Sequence, residues 1–400
     1  MSCFVENLSK MKKIFLTTIL VISALAIVNA GKKPGTKNTN SHVPANSRFS
    51  KALPVDSILK KYTSNGIPGA SVAVYSEQEG WWAGSAGYAK VENQTLMTPK
   101  HLQYLQSIAK TYMAVAILKL YEEGKIELDA PMTKYLPSKH AKYIKRADDI
   151  TIRMLLNHTS GVPEYSIHPA FVSYVLLHPT QVFNVEDALK YLVDEDVQFV
   201  PGSKHRYTNT NYLLLAMIAD AIVGDHADYI DKVIFQPLGL TNTFYRKSPR
   251  YLKYPNLVDS YWDVLNTGKP ANITPLQKAN VATLKGDDGI VCTTADAIKF
   301  LKGLVEGKLL KQSTLNLMKQ WVNDDSGNPI YGLGLVHYEA GGLKGYGHSG
   351  GGIGAGCILI YVPEKKVYIF MATNFGTLFG GDLAKKADDM KNEIIAAVLF

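Results

Sequence analysis

The chain has 400 residues, 46% of them hydrophobic and 20% charged, which is enough to bury a large core and excludes a disordered chain. Its formal charge of +8 is uneven: residues 1–51 carry eight Lys and Arg against the single acid Glu6, so the remaining body is near +1 and offers no nucleic-acid surface. The basic run from Lys139 to Arg146 is answered at once by Asp148 and Asp149 and reads as a solvated face.

Lys12 and Lys13 precede an apolar run from Ile14 to Val28, and Val28-Asn29-Ala30 supplies the small residues that a signal peptidase accepts. This predicts a signal peptide over residues 1–30, with Met11 as an alternative start, and export to the periplasm or the medium. The run falls short of the roughly 20 apolar residues of a membrane span and contains Thr17, Thr18 and Ser23, so no stable span is expected after cleavage. Residues 31–50 lack periodic large apolar side chains and read as a flexible linker, leaving 51–400 as the folded domain. Beyond the leader only Cys292 and Cys357 remain, two thiols that an oxidising compartment would allow to pair and that otherwise read as small buried side chains. No Cys/His spacing fits zinc or haem, and the ten histidines include no H-E-x-x-H pair, so no metal or organic cofactor is expected.

In chain order, a helix over Val55–Thr63 ends at Asn65-Gly66, and Ala70–Tyr75 and Trp81–Tyr88 form a strand hairpin. From Gln103 to Glu123 the residues Ile108, Tyr112, Val115 and Leu118 recur at helical spacing, and Gly124 closes the run. Further helices are predicted over Ile152–Leu156, Val185–Val193 and Asn211–Ile222. After Gly289 come a helix over Ala295–Leu304, strands over Gly332–Tyr338, Gly356–Tyr361 and Val367–Ala372, and a turn at Pro363–Lys366. A terminal helix carries Leu383, Ala387, Met390, Ile394 and Val398 on one stripe. The order implies an α/β (α+β) fold: one sheet built from residues 51–100 and 285–400, with a helical part over 101–284.

Three short motifs carry the chemistry. Ser107-Ile108-Ala109-Lys110 puts a hydroxyl and an amine on one helix face, and a lysine held neutral by burial and nearby positive charge can take the serine's proton. Ser107 sits near a helix start, where unpaired N–H groups favour developing negative charge. Tyr207-Thr208-Asn209 leads into the next long helix; a phenol beside a cationic lysine loses or relays a proton more readily, and Asn209 offers a donor and an acceptor to a substrate amide. His348-Ser349-Gly350-Gly351 is a glycine-rich approach to a strand, suited to a substrate laid against the backbone and to N–H groups for an oxyanion. Each motif has an ordinary structural reading: a surface Ser/Lys pair, a packed tyrosine among 23, and a strand turn.

Gly347 to Gly351 also fits G-x-S-x-G, which would make Ser349 the nucleophile of an α/β-hydrolase. The elbow requires strand, turn, helix and a later histidine. Here strand, turn, strand follows, and no histidine occurs after His348.

With these motifs in this order, the chain resembles the serine β-lactamase and penicillin-binding-protein superfamily, in particular the class C β-lactamase and D-alanyl-D-alanine carboxypeptidase branch. The connecting runs Glu123–Asp129, Leu155–Gly161, Pro237–Leu240 and Thr293–Asp296 extend the similarity from Leu53 to the C-terminus. The resemblance implies an antiparallel sheet flanked by helices, a helical subdomain and a cleft between them. It implies Ser107 as an acyl-forming nucleophile, Lys110 and Tyr207 as the proton-transfer pair, and Asn209 on the acyl side chain's amide. The strand of His348, Ser349 and Gly350 would dock the substrate, and the N–H groups of Ser107 and Gly351 would form the oxyanion hole. His348 stands where efficient β-lactamases often have Lys, which favours a carboxypeptidase-like hydrolase of D-amino-acid peptides over a β-lactamase or esterase on the same site. A penicillin-binding sensor without turnover is disfavoured, because a pure binder needs no proton-transfer pair. The expected partner is a small-molecule or peptide substrate, such as a cell-wall peptide or a β-lactam. His158 falls in a recurring structural loop and is assigned no chemistry. The sequons at Asn93, Asn157 and Asn272 carry little weight if the source is bacterial, as the leader and the resemblance imply.

Overall fold

Strand β1 (Gly69–Ser76) is buried along nearly its whole length, with Val72 and Val74 on one face and Ala73 on the other. A strand buried on both faces needs cover on both sides, and this requirement sets the architecture. The computed structural model describes residues 49–245 and 256–400. The expected signal peptide and all but the last two residues of the expected linker lie outside them. The folded body begins with Phe49, which stacks on Trp82 with ring centroids 5.4 Å apart, so residue 49 already belongs to the core.

The chain enters helix α1 (Ala52–Thr63), then β1, β2 (Gly80–Lys90) and the short β3 (Thr95–Leu96). Strand β4 (Gln103–Tyr104) precedes the central helix α2 (Ala109–Glu122). The middle of the chain holds helix α3 (Asn209–Val223), strand β5 (Thr243–Tyr245), the pair β6 (Tyr261–Trp262) and β7 (Ala271–Asn272), strand β8 (Ile290–Cys292) and helix α4 (Thr294–Val305). The C-terminal part supplies β9 (Val322–Asn323), β10 (Pro329–Tyr331), β11 (Val336–Ala340), β12 (Leu343–Gly351), β13 (Gly356–Val362) and β14 (Val367–Thr373), followed by helix α5 (Asp382–Leu399).

A nine-stranded sheet in the order β3-β2-β1-β14-β13-β12-β11-β10-β9 joins the two ends of the chain, with Ala70 opposite Thr373 in the antiparallel β1–β14 pair. One face packs under α1 and α5 through Val72, Val74, Ile358, Ile360 and Ile369. The predicted stripe of Leu383, Ala387, Met390, Ile394 and Val398 is the buried side of α5. The other face meets the helical part through Ala73, Leu359, Phe370 and Ala372. There α2 is buried all round, and its Tyr112 stacks on Phe300 of α4 at 3.5 Å.

Several elements differ from expectation. The helix predicted from Gln103 begins only at Ala109, because β4 and a 3-10 turn over Gln106–Ile108 occupy its start. Val185–Leu192 is a 3-10 run. Of the strand expected over Gly332–Tyr338 only Val336–Tyr338 is strand, the start of β11; residues 332–335 connect it to β10, which ends at Tyr331. The third motif, read as the entry to the strand from Gly356, lies on a strand of its own, β12, whose glycines hide it from a propensity reading.

Candidate active site

Ser107 is the middle residue of the turn Gln106–Ile108, and it alone of the three is not fully buried. Gln106 has φ +48°, in the left-handed region, a conformation that costs an ordinary side chain on the order of 1–3 kcal/mol. This bend leads the chain from β4 to α2 and leaves the serine hydroxyl at the surface of the turn.

Lys110, in the first turn of α2, is fully buried. Its Nζ donates to Ser107 Oγ at 3.0 Å, to Asn209 Oδ1 at 2.7 Å and to the backbone carbonyl of Asp287 at 3.1 Å. Three acceptors match the three hydrogens of an ammonium. Burial alone would lower its pKa, but Tyr207, Asp287 and Glu164 outweigh it and hold the amine above its usual value. The sequence reading supposed a lysine kept neutral by nearby positive charge. Its surroundings are acidic instead, and the resting lysine is cationic.

Tyr207 lies against Lys110, with Nζ 5.0 Å from the ring centroid. Its hydroxyl is buried beside Lys110 and Ser107 without a well-formed hydrogen bond. Burial raises the phenol's pKa; Lys110 and Ser107 pull it back only in part, so the phenol is neutral at rest. The sequence reading foresaw the pull of the lysine but not the larger opposing effect of burial.

Behind Tyr207 is a cluster of rings. His158 packs 4.3 Å from it and 4.7 Å from Tyr331, centroid to centroid. His158 Nδ1 accepts from the N–H of Thr208 at 3.3 Å, which puts the ring hydrogen on Nε2 and ties the Leu155–Gly161 loop to the tyrosine motif. Burial, then His205 and Lys110, push His158 well below its ordinary pKa. His348 is 2% exposed, and both of its nitrogens are occupied. Nδ1–H donates to the carbonyl of Ser349 at 2.6 Å, leaving Nε2 to accept from Tyr331 Oη at 2.9 Å. Burial and Lys110 lower its pKa to about 3, so the ring is neutral. His348 therefore braces β12 against Tyr331 and has no ring nitrogen left for a substrate, a correction to its expected binding role.

Asn209 is the first residue of α3. Its Oδ1 is taken by Lys110 and its Nδ2 donates to Ser166 Oγ at 3.2 Å, so part of the capacity foreseen for a substrate amide is already used. Glu164 fixes this helix start: Oε2 accepts the N–H of Asn209 at 2.5 Å and Oε1 that of Ser166 at 2.9 Å. Asp287 is a second acid at the site, beside Asp288, buried at 3% exposure, with Oδ1 lacking a partner. The sequence reading named neither acid. The only hint of Asp287 was the pair Asp287-Asp288 between glycines, just before a buried strand.

The end of strand β12 and the residue after it reach this turn through Gly350 and Gly352. A Cβ on Gly352 would stand 2.2 Å from Gln106 Oε1, and one on Gly350 would press on the backbone of Leu105. Gly351, the expected oxyanion donor, ends the strand opposite Gly356. Ser349 alternates to the reverse face: it pairs with Ile358 and lines a cavity with Lys391 and Ile395 under α5. Its hydroxyl is thus on the side away from Ser107, and only its backbone faces the docking edge. The elbow reading of Ser349 fails on the same observation, since it sits within a strand and a second strand follows. Cys292 and Cys357 are both free and buried; Cys357 Sγ donates to the carbonyl of Leu105 at 3.1 Å.

The site thus brings together Ser107, Lys110, Tyr207, Asn209 and the glycines of β12, between the sheet and the helical part. A profile of the Beta-lactamase family matches residues 55–388. Penicillin-binding protein 4* of Bacillus subtilis (strain 168) is 28% identical over 303 residues, 72% of this chain and 64% of that protein, so the match spans less than two thirds of the relative's length. A D-stereospecific amidohydrolase from a Streptomyces species superposes with a TM-score of 0.74 at 25% identity, covering 87% of this chain and 98% of that one. The D-amino acid amidase of Ochrobactrum anthropi SV3, solved with L-phenylalanine amide, gives 0.75 at 23% identity over 87% and 98%, a likeness of fold. The chain belongs to the beta-lactamase family of serine hydrolases, within the superfamily of serine β-lactamases and penicillin-binding proteins.

Proposed function

We propose that the protein is an exported hydrolase that cleaves amide or ester bonds through an acyl-serine at Ser107, with D-amino-acid peptides of cell-wall type as its substrates. The observation that carries this reading is the 3.0 Å contact between Lys110 Nζ and Ser107 Oγ, beside the buried phenol of Tyr207. Lys110 or Tyr207, once deprotonated, takes the hydrogen of Ser107 as Oγ attacks the carbonyl. The backbone N–H groups of Ser107 and Gly351 receive the oxyanion, and the proton passes to the leaving amine or alkoxide. Water then reverses the sequence to release the acid. Asn209 holds the substrate's amide through its remaining hydrogen, and the edge of β12 aligns the substrate backbone.

Two observations favour peptides or amides over β-lactams as the best substrates. A neutral His348 leaves the third motif without a permanent positive charge, and the similar solved structures carry the names of a D-stereospecific amidohydrolase and a D-amino acid amidase. A class C-like β-lactamase or esterase activity on the same serine is the second reading, which the family itself supports. Export rests on the Lys12-Lys13 and Ile14–Val28 leader pattern.

The test is a hydrolysis panel of a D-Ala-D-Ala peptide, D-amino-acid amides, a nitrophenyl ester and a β-lactam, with Ser107→Ala and Ser349→Ala compared. Loss of all activity in Ser107→Ala, with Ser349→Ala still forming the acyl-enzyme, is expected. Wild-type rates in Ser107→Ala would end the proposal.

A further inference from the structure

At rest neither base of the site is free. Lys110 donates all three hydrogens of its ammonium, and burial keeps the Tyr207 phenol protonated. Before Ser107 can be deprotonated, one of the two must lose a proton. Three acids lie within electrostatic reach of Lys110. The oxygens of Glu164 accept two backbone N–H groups, and Asp288 Oδ1 accepts the N–H of Gly289 at 2.6 Å. Asp287 differs: it is buried, its backbone carbonyl is fixed on Lys110 Nζ, and its Oδ1 has no partner.

We propose that Asp287 is a positioning residue acting through Lys110 and Tyr207: its buried carboxylate takes up the proton that one of them gives up when the site becomes competent to deprotonate Ser107. The inference rests on Ser107 being the nucleophile. One proton leaves Nζ of Lys110 or Oη of Tyr207 and arrives on the Asp287 carboxylate, so the charge of the cluster is unchanged. The proton of Ser107 Oγ then moves to the vacated base while the Oγ–C bond forms and the carbonyl electron pair moves to the oxyanion. Asp287 makes no ion pair with Nζ, and the transfer is an equilibrium that exchange with solvent satisfies. The scheme holds whichever of Lys110 and Tyr207 is the base.

The facing charges fit this role. Burial pushes the Asp287 carboxyl up to about 7; Lys110 from α2 lowers it, while Asp288 on its own loop and Glu164 from the loop before α3 raise it. Asp287 in turn raises Tyr207. Below that pH the cluster carries one proton more and the competent form is depleted as pH falls. Above it, the competent fraction is constant, because the proton only moves within the cluster.

The experiment is the pH dependence of kcat/KM of the full chain on a nitrophenyl ester, for wild type, Asp287→Asn and Asp288→Asn, with melting temperatures recorded alongside. Wild type is expected to rise with pH and level off near 7. Asp287→Asn, with no carboxylate to fill, should show no levelling near 7 and keep rising about tenfold per pH unit until the base itself titrates. Asp288→Asn should move the levelling point down, because it removes a repulsion that raises Asp287. Asp287→Ala should show the same continued rise should the Asn variant not fold. An unchanged levelling point in Asp287→Asn, or an equal loss at every pH, overturns the proposal. Full activity in Ser107→Ala overturns the nucleophile assignment instead, so the two failures are separable.

Discussion

A Cβ on Gly350 would stand 2.5 Å from the carbonyl oxygen of Leu105, so β12 and the turn that carries Ser107 meet backbone to backbone. The same Cβ would be 2.8 Å from that of Gln106, leaving neither side room to yield. Gly350→Ala is expected to push the turn off the strand and misplace Ser107 relative to the docking edge. A displacement on the scale of 1 Å lowers acylation by about 10²-fold. Acylation by a fluorescent penicillin, followed beside far-UV circular dichroism, separates this from unfolding.

Tyr207→Phe removes a buried hydroxyl that lies beside Lys110 and Ser107 without a well-formed hydrogen bond. An unmet polar group costs stability, so the variant should melt at the same temperature or higher. Hydrolysis should nevertheless fall by about 10²–10⁴-fold, the usual worth of a proton-transfer group. Thermal melts and ester hydrolysis on the same preparation check both halves. A drop in melting temperature together with full activity would assign the hydroxyl to packing.

His348 is neutral in the fold, with its pKa lowered to about 3 from an ordinary 6.5. Between those values the unfolded chain binds the proton and the native one does not, so stability falls as pH drops below 6.5. From pH 7.5 to 5 the loss through this residue is about 2 kcal/mol. Urea unfolding at the two pH values should show it, and His348→Gln, which keeps a donor and an acceptor, should lose less on acidification. An equal acid loss in both proteins would remove His348 as the cause.

Asp287 carries the opposite sign. Its carboxyl is raised from 3.8 to about 7, so the native state holds a proton that the unfolded chain has lost, and stability falls as pH rises through that window. Ionising it in place costs on the order of 4 kcal/mol above pH 7. Asp287→Asn should therefore raise the melting temperature by several degrees at pH 8 and by little at pH 4. Calorimetry at the two pH values decides it, and a gain that does not depend on pH would point to packing instead.

The sheet assembled from both ends of the chain was legible because β1, β13 and β14 are continuous apolar runs with turn residues between them. The serine and lysine of the first motif, and the tyrosine at the start of α3, could be read because spacing along one helix turn is a local property. Strand β12 was not legible, since Gly345, Gly347, Gly350 and Gly351 carry no strand propensity; Gly345 and Gly347 lie close against the backbone of β13, and Gly350 against Leu105 and Gln106, partners more than 200 positions away. The charge of Lys110 was misread for a similar reason. Motif spacing reveals which groups meet, whereas protonation depends on everything that surrounds them, and Asp287 and Glu164 arrive from two other loops.

Thr373 donates its hydroxyl hydrogen to the carbonyl of Gly69 across 304 positions of sequence, and the whole β1–β14 ladder joins the first strand of the sheet to the last. This pair of strands cannot form on a ribosome until β14 has emerged. Until then the segment bearing Ser107 and Lys110 waits without the strand that completes it, with apolar surface from α2 uncovered. The proposed catalytic site is therefore complete only after β12 has been made and has paired within the sheet.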